Sequence, residues 1–421
     1  MAKGTIRKIQ AREILDSRGN PTIETRVELE EGDVGIASVP SGTAVGRYEA
    51  FELRDHDPKR YRGMGVLSAV NNVHQKIAPV ILGQETTNQK QIDQQLIQLD
   101  GSRDKSKLGV NAILSVSQAV CRAGANVRKV PLYQHVADLF GEKKEMTMPV
   151  PLFNLINGGK HGAGNLDFQE FLILPFFQTF AKALQAGSEI YHLVGEVLIR
   201  HGAIHSVGDE GGFAPNLFTN LDAFEVLIEA IKESGIVLGQ NVFLGLDVAA
   251  TFFYQNNRYR IRDRSVPLTP GELIDYYADL NRQYPLYLLE DGLVEDDWSG
   301  WQELTARLNE VVIVGDDLLV TNRHRIKQAA RKKACSAILV KPNQVGTISE
   351  SLEVVRAARK AKWKVIVSHR SGETEDNFIA DFALGVGADM VKFGAPARGE
   401  RVMKYNRLLM IEEELKKNAR L

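Results

Sequence analysis

The sequence predicts an α/β protein in which an N-terminal α+β domain precedes a β/α barrel. A short apolar run that ends in one ionisable residue recurs six times between about positions 240 and 395, and amphipathic, helix-like segments fill the gaps. Buried parallel strands give such continuous apolar runs, and repetition of the βα unit builds a barrel. The chain has 421 residues, which suits a barrel of about 250 residues and a smaller domain.

Residues 1–140 are predicted to form the α+β domain. Three stretches alternate apolar and polar residues as half-buried strands do, and the turn sequences SRGNP and EGD separate them. Four helix-like patterns follow, and strands followed by helices are typical of an α+β unit. The strands are expected at 5–10, 21–29 and 34–39, and the helices at about 66–81, 88–98, 109–127 and 131–139.

Residues 145–421 are predicted to form the barrel. Apolar runs at 149–157 and 168–175 supply two leading strands, two long helices follow at about 181–202 and 221–235, and six βα units complete the domain. Two adjacent strands before any helix depart from strict alternation, so the barrel is expected to be a variant. Capping-box patterns that begin at Thr269 and Thr347 predict the starts of two barrel helices.

Composition excludes several classes of protein. The chain carries 52 Lys and Arg against 53 Asp and Glu, so nothing indicates a nucleic-acid partner or a charged membrane surface. Cys121 and Cys335 are too few for a disulfide framework. No apolar run approaches the roughly 20 residues of a membrane span, and the first residues lack the apolar stretch of a signal peptide. We therefore expect a cytoplasmic protein without a membrane span.

Three of the apolar runs end in carboxylates, at Asp247, Glu290 and Asp316. The C-terminal ends of barrel strands point into one mouth, where the active sites of barrels lie. Hard oxygen ligands from neighbouring strands suit Mg²⁺, which keeps positions for water and substrate. The alternative for each carboxylate alone is that it caps the following helix. Three in succession favour a metal site, and hence a metal-dependent enzyme.

The other three runs end in Lys341, His369 and Lys392. A lysine beside Mg²⁺ and a second ammonium is expected to have a lowered pKa, which would make it a usable general base. The alternative is that both lysines are structural counter-charges to the carboxylates.

Three glycine-rich stretches are candidate loops at the barrel mouth. They are SGTAVG at 41–46, NGGKHGAGN at 157–165 with Lys160 and His161, and GDEGGFAPN at 208–216 with Asp209 and Glu210. The first two lack the strand-to-helix context and spacing of a Walker A or dinucleotide fingerprint. They are candidate lids, since flexible loops at a barrel mouth often act as lids, and the alternative is a plain turn. For the third, which lies between two helical stretches, the alternative is an acidic surface turn.

Longer motifs connect these residues along nearly the whole chain. Together they resemble the enolases essentially from end to end. The resemblance implies a lyase that reversibly dehydrates 2-phosphoglycerate to phosphoenolpyruvate with two Mg²⁺, acts on a small phospho-carboxylate, and forms a homodimer or a larger homo-oligomer. The motifs are ILDSRGNPTIE (14–24), NAILSVSQAVCRAGA (111–125), LINGGKH (155–161), DFQEF (167–171), GDEGGFAPN (208–216), LGLD (244–247), GDDLLVTN (315–322), KPNQVGT (341–347), VSHRSGETED (367–376), GAPARGER (394–401) and IEEEL (411–415).

The resemblance also implies a role for each candidate residue. Asp247, Glu290 and Asp316 match the ligands of the first metal ion, which binds the substrate carboxylate. Lys341 matches the base that removes the C2 proton, and Glu210 matches the acid that helps hydroxide leave from C3.

Further residues match positions that hold the substrate or line the site. They are Lys392 for the substrate carboxylate, Arg370 and Ser371 for the phosphate, Gln169 and Glu170 near the leaving group, the lid histidine His161, and His369 at another active-site position.

The sequence departs from the usual enolase pattern near this site. Where enolases usually read SGxSTG, the second serine is Ala44, and loss of that hydroxyl predicts weak binding of the second Mg²⁺. The other departures are Val45 in the same loop, Phe252 in place of a glutamate, Leu288, Leu289 and Gly292 around the metal glutamate and aspartate of the usual SIEDP, and Phe393 and Gly399 near the C-terminus.

Three functions therefore compete. The first is enolase activity itself, and the second is a paralogue that dehydrates a related phosphorylated or phosphonate carboxylic acid, which the loop departures favour. The third is a non-catalytic structural or surface-binding protein. An unused site would be expected to lose its costly cluster of buried charges first, and this sequence retains it.

Overall fold

The computed structural model of the chain describes residues 4–42, 46–141, 146–162 and 164–418. Ala44 and Val45, the departures in the first glycine-rich loop, lie outside the described residues.

The chain begins with an antiparallel three-stranded sheet. Its strands are β1 (Ile6–Leu15), β2 (Pro21–Leu29) and β3 (Val34–Ser38), in the order β1-β2-β3. The three predicted strands are confirmed, but the predicted end of β1 at residue 10 is wrong. The ladder with β2 continues to the pair Leu15↔Pro21. Leu15 is 55% exposed, so main-chain pairing rather than burial extends the strand.

The helices of the first domain lie close to their predicted positions. The stretch predicted at 66–81 is helical from Leu67 onwards but includes a π-helical turn, in which the Ala78 N–H donates to Val73 O. Pro79 follows and has no N–H to donate, which explains the local departure from α geometry. The elements are α1 (Leu67–Asn72), the π turn (Val73–Ile77), α2 (Ala78–Ile81), α3 (Gln89–Asp100), α4 (Val110–Val127) and α5 (Leu132–Phe140).

The second part of the chain alternates strands with helices. Its strands are β4 (Val150–Asn157), β5 (Glu170–Pro175), β6 (Val242–Asp247), the short hairpin β7 (Tyr254–Gln255) and β8 (Arg258–Tyr259), β9 (Leu286–Glu290), β10 (Val312–Gly315), β11 (Ala337–Val340), β12 (Lys364–Ser368) and β13 (Met390–Lys392). Its helices are α6 (Phe180–Arg200), α7 (Asn220–Glu233), α8 (Pro270–Gln283), α9 (Trp298–Arg307), α10 (Arg323–Lys332), α11 (Ile348–Lys360), α12 (Phe378–Gly385) and α13 (Gly399–Asn418).

Eight of these strands form a closed barrel in the order β10-β11-β12-β13-β4-β5-β6-β9. The strand β5 is antiparallel to both of its neighbours, whereas the other pairs are parallel. The predicted variant barrel is thereby confirmed. Leucine, isoleucine, valine, alanine and methionine side chains from these strands fill the barrel interior, and a larger apolar layer lies between the strands and the helices.

A threonine hydroxyl caps each of the two predicted helix starts. Thr269 and Glu272 form the complete capping box of α8. Thr347 Oγ1 accepts from Glu350 N, but the Glu350 carboxylate accepts from the Thr347 hydroxyl at 2.8 Å and from Lys105 Nζ at 2.9 Å. The second box is therefore only half formed, since Glu350 bonds to the Thr347 hydroxyl and to Lys105 rather than to the Thr347 main-chain N–H.

The start of α11 is also where the two parts of the chain meet. Asp93 on α3 accepts from Ser349 N at 2.8 Å, and Ser117 on α4 accepts from Ile348 N at 3.0 Å. The N-terminal helices thus satisfy donors that a helix start leaves free. The domain division predicted between 140 and 145 stays a prediction, since residues 142–145 lie outside the described chain. None of the described helices is both long and apolar enough to cross a bilayer.

Candidate active site

The six ionisable residues at the strand ends gather at one mouth of the barrel. Lys392 lies at the centre, with Nζ 2.8 Å from Glu290 Oε2, 3.0 Å from Asp247 Oδ2 and 2.8 Å from Glu170 Oε2. All four side chains are buried. Burial alone would lower the pKa of Lys392, but the surrounding carboxylates, Asp247 first, raise it well above its usual value. Lys392 is therefore a fixed cation.

Part of this cluster has the composition of a cation site. Glu290, Asp291 and Asp316 each offer a carboxylate oxygen, and the three oxygens lie within 4.8 Å of one another. Within the described residues, Glu290 Oε1 is buried and accepts no hydrogen bond. Burial, followed by the charge of Asp247, raises the pKa of Glu290 well above its usual range. Converging hard oxygens with an unsatisfied buried acceptor fit Mg²⁺.

Only two of the three predicted metal ligands, Glu290 and Asp316, belong to this trio of converging carboxylates. Asp247 pairs with Glu290 across the ladder between β6 and β9 but is absent from the close trio. Its Oδ2 instead accepts from Lys392 Nζ at 3.0 Å and from Gln169 Nε2 at 3.4 Å.

Asp291 is the third member of the trio, and the sequence analysis did not predict it as a site residue. It has a left-handed backbone, with φ 46°, and its carboxylate accepts from Asp316 N at 3.0 Å and from Asp317 N at 2.7 Å. These bonds hold the turn after β10 so that Asp316 faces Glu290. The sequence feature that could have identified Asp291 is its position directly after Glu290, a predicted metal ligand.

Lys341 follows β11 and forms a close hydrogen bond to Asp316 Oδ2. The lowered pKa predicted for Lys341 depends on a neighbouring Mg²⁺ and stays a prediction. Burial acts to lower the pKa of Lys341, but the paired Asp316 carboxylate outweighs burial and the pKa is raised. The sequence placed the two residues at one mouth but carried no information on their direct contact.

A second group of ionisable residues lies across the mouth. His161 Nδ1 is 3.2 Å from Glu170 Oε1 and 3.6 Å from Glu210 Oε2, and its Nε2 is 3.3 Å from Ser371 Oγ. Burial would lower the pKa of His161, but the two glutamates, Glu210 first, raise it. The carboxylates of Glu170 and Glu210 and the ring of His161 also converge closely enough for a metal. Lys392 already pairs with Glu170, and the raised pKa of His161 favours its protonated form. This group of side chains is therefore better suited to proton transfer than to binding a metal ion.

The two glutamates differ in protonation. Burial raises the pKa of Glu170 to about 7, against the lowering effect of Lys392. Burial also acts to raise the pKa of Glu210, but His161, His369 and Arg401 hold it well below its usual value. Of the two, Glu170 is consequently the carboxyl that titrates near neutral pH.

Glu170 reaches the mouth from the opposite strand direction. Because β5 is antiparallel to its neighbours, its beginning rather than its end lies at the mouth, where Glu170 pairs with Asp247. A search for ionisable residues at strand ends therefore could not find Gln169 or Glu170. Only the family resemblance identified them.

Arg370 lies on another side of the mouth, after β12. Its guanidinium donates to Glu49 Oε2 at 2.8 Å and to Asn343 Oδ1 at 3.0 Å. Glu49 was missed by the sequence analysis, since it precedes Arg370 by 321 positions and belongs to no strand-end pattern.

One pocket brings nearly all the predicted site residues together. Eleven of the twelve line it, and the twelfth, Glu290, accepts a hydrogen bond from Lys392 in that lining. The pocket lining also includes Glu49, Ala249, Phe252, Asp291, Asp317 and Ser368.

Two family models match the chain. "Enolase, N-terminal domain" matches residues 6–136, and "Enolase, C-terminal TIM barrel domain" matches residues 145–421. The chain belongs to the enolase family. This membership supports a lyase of the enolase superfamily, acting on a small molecule, and Mg²⁺ is the metal typical of the family.

One departure from the enolase pattern occurs inside this pocket. Phe252 lines the wall, and Lys160 Nζ lies 3.8 Å from the centroid of its ring. Lys160 belongs to the turn Gly159–His161, which also carries His161, the predicted lid histidine. A cation–π contact thus connects this turn to Phe252, which occupies the position where enolases usually have a glutamate.

Proposed function

We propose that this protein is an enolase in the strict sense, a Mg²⁺-dependent lyase that interconverts 2-phosphoglycerate and phosphoenolpyruvate. The observation that carries the proposal is the pairing of an amine and a proton-bearing carboxyl in one buried pocket. Lys341 lines it after β11, and Glu170 lines it at the start of β5. Dehydration requires both: one group takes the C2 proton, and another gives a proton to the departing C3 hydroxyl, which leaves as water.

Substrate binding is assigned to the cations of the mouth. Arg370 presents a planar fork of donors that suits phosphate oxygens, with Ser371 beside it. Lys392 is proposed to hold the substrate carboxylate. Loss of the C2 proton makes that carboxylate part of an enolate dianion, so a fixed cation there stabilises the transition state more than the ground state.

Asp247, Glu290 and Asp316 are proposed to hold the first Mg²⁺, and Asp291 to keep Asp316 in place. Bound Mg²⁺ would neutralise these carboxylates and polarise the substrate carboxylate, which acidifies the C2 proton. A second, more weakly bound ion is expected because the sequence has Ala44 where the family usually has serine.

The proton donor is proposed to be the pair Glu170 and Glu210, with the proton on Glu170. The resemblance assigns the acid to Glu210, and that assignment stays a prediction. The raised pKa of Glu170 and the lowered pKa of Glu210 favour a division in which Glu210 stays ionised and orients His161.

The contact between Lys160 and Phe252 favours a second candidate function. A paralogue with a related phosphorylated or phosphonate carboxylic acid as substrate would need a changed pocket wall, and Phe252 changes it. The cytoplasmic location and the homodimeric or larger assembly stay predictions from the sequence.

The deciding experiment follows the ultraviolet absorbance of phosphoenolpyruvate when purified protein is mixed with 2-phosphoglycerate and Mg²⁺. Turnover is expected, and Lys341→Ala serves as the matched inactive control. Exhaustive chelation should abolish turnover, and added Mg²⁺ should restore it. No product from 2-phosphoglycerate, together with turnover of a phosphonate analogue, would assign the chain to the paralogue instead.

A further inference from the structure

A fully buried arginine lies behind the active site without lining the pocket. Arg401, on the first turn of α13, is 0% exposed and donates to four acceptors. One guanidinium nitrogen donates to His369 Nδ1 at 2.7 Å and to Arg370 O at 2.6 Å. The other donates to Ser371 O at 2.5 Å and to Asp209 O at 3.1 Å. One side chain thus connects two segments that carry active-site residues.

The hydrogen bond to His369 determines where the imidazole holds its proton. A guanidinium has only donors, and it stays protonated in proteins. His369 Nδ1 must therefore be the acceptor, so the proton of the neutral ring is on Nε2. That nitrogen faces Glu210 Oε2 at 3.4 Å, and a donor in this position favours the ionised form of the carboxylate.

The backbone nearby keeps the ring in this orientation. Gly394 has φ +89°, and a Cβ at that position would lie 3.0 Å from His369 Cε1 and 3.1 Å from Arg401 Cδ. The chain after β13 therefore packs closely against both side chains. Burial of His369 lowers its pKa to about 3, which agrees with a neutral ring.

We propose that Arg401 is a positioning residue that fixes the Nε2–H tautomer of His369 and thereby keeps Glu210 ionised. Its bonds to the carbonyls of Asp209, Arg370 and Ser371 also hold the Glu210 turn and the phosphate-binding segment at a fixed separation. The kinetic readout of this inference rests on the proposed lyase function, whereas the tautomer can be measured without any substrate.

The test is ¹⁵N NMR of the histidine side chains in the wild-type protein, with His369 assigned by the variant His369→Gln. The wild type is expected to show His369 with an unprotonated Nδ1 and a protonated Nε2 at neutral pH. Arg401→Lys keeps a charge but lacks the planar fork, so mixed tautomers are expected. In turnover, kcat of Arg401→Lys should fall about tenfold or more while KM changes by less than about threefold.

Arg398→Met is the matched control. Arg398 is also an arginine near the start of α13 and donates to Gly208 O at 3.4 Å, but it does not bond to His369. It should leave the His369 tautomer unchanged. A protonated Nδ1 in the wild type would overturn the proposal, even if Arg401→Lys failed to fold. An unaltered His369 spectrum in folded Arg401→Lys would also overturn it. If the wild-type protein does not turn over 2-phosphoglycerate but Arg401→Lys still loses the wild-type tautomer, the positioning role is supported. That outcome refutes only the proposed substrate.

Discussion

The carboxylate of Glu49 accepts from the guanidinium of Arg370 at 2.8 Å to Oε2 and at 3.3 Å to Oε1. Both side chains are only 5% exposed. The arginine assigned to the phosphate is thus already paired with an anion of the same chain. A substrate phosphate must compete with Glu49 or share the guanidinium with it, so substrate binding is coupled to the segment that carries Glu49.

Glu49→Gln is expected to strengthen the binding of inorganic phosphate. The amide keeps an oxygen that can accept from Gly46 N, as Glu49 Oε1 does at 2.8 Å, but it removes the competing charge. An increase of about tenfold would correspond to about 1.4 kcal/mol. Isothermal titration calorimetry measures this directly. Glu353→Gln, which alters an exposed pair with Arg323, is the control. Weaker phosphate binding in Glu49→Gln would show that Glu49 orients Arg370 for the anion.

Lys341→Ala is expected to stop exchange of the substrate C2 proton with deuterated solvent. Lys341 lies in the pocket beside Asp316. It can accept a proton only as the neutral amine, a form that Mg²⁺ bound to Asp316 would favour, and alanine leaves no such group there. Exchange is followed by NMR of 2-phosphoglycerate. Continued exchange in this variant would assign the base to another residue.

Glu170→Gln is expected to slow dehydration by about a hundredfold while C2 exchange persists, because the acid acts after the carbanion forms. An acid with a pKa of about 7 is active when protonated, so wild-type turnover should fall as the pH rises above about 7. That alkaline decline should disappear in the variant. Rate–pH profiles of Glu170→Gln and Glu210→Gln separate the two assignments. A decline that survives in Glu170→Gln and vanishes in Glu210→Gln would return the acid to Glu210.

Lys160 and Phe252 are expected to act as one unit. Lys160→Met and Phe252→Leu each remove the cation–π contact, so each should lower kcat/KM, and the double variant should be no worse than the poorer single one. A partly exposed contact of this kind is worth about 0.5–1 kcal/mol, and a double-mutant cycle measures it. If the losses of kcat/KM in the two single variants add in the double variant, the contact between Lys160 and Phe252 does not contribute to activity.

His135 is expected to make stability depend on pH. Burial, with the charge of Arg128, lowers its pKa to about 4, whereas the unfolded value is about 6.5. Between these values the unfolded chain binds more protons, so stability is full above about pH 6.5 and is lost as the pH falls towards 4. The loss reaches roughly 3 kcal/mol. Urea unfolding at pH 7 and 4.5 should show a smaller difference for His135→Gln than for wild type. The exposed His324→Gln should match the wild type, and equal pH dependence in His135→Gln would refute the assignment.

Much of the fold follows from local patterns, because a strand buried on both faces must be apolar along its length. That rule located the parallel barrel strands and the six ionisable residues at their ends. It could not identify Gln169, at a strand beginning. It also could not identify Arg401, whose role depends on carbonyls and an imidazole roughly 30 and 190 positions away. Nor could it show the direct contact of Lys341 with Asp316, which is a matter of side-chain geometry.

The reversed direction of β5 has a consequence for how such an enzyme can change its chemistry. His161, Gln169 and Glu170 all lie on the connection between β4 and β5 or at its end, while the carboxylates and Lys341 follow later strands. Most of the residues proposed to act on the leaving group therefore occupy one short, continuous stretch of the gene. Exchange of that stretch could alter which group is eliminated while leaving the proton-abstracting half intact, so new lyases could arise from this fold by a single local replacement.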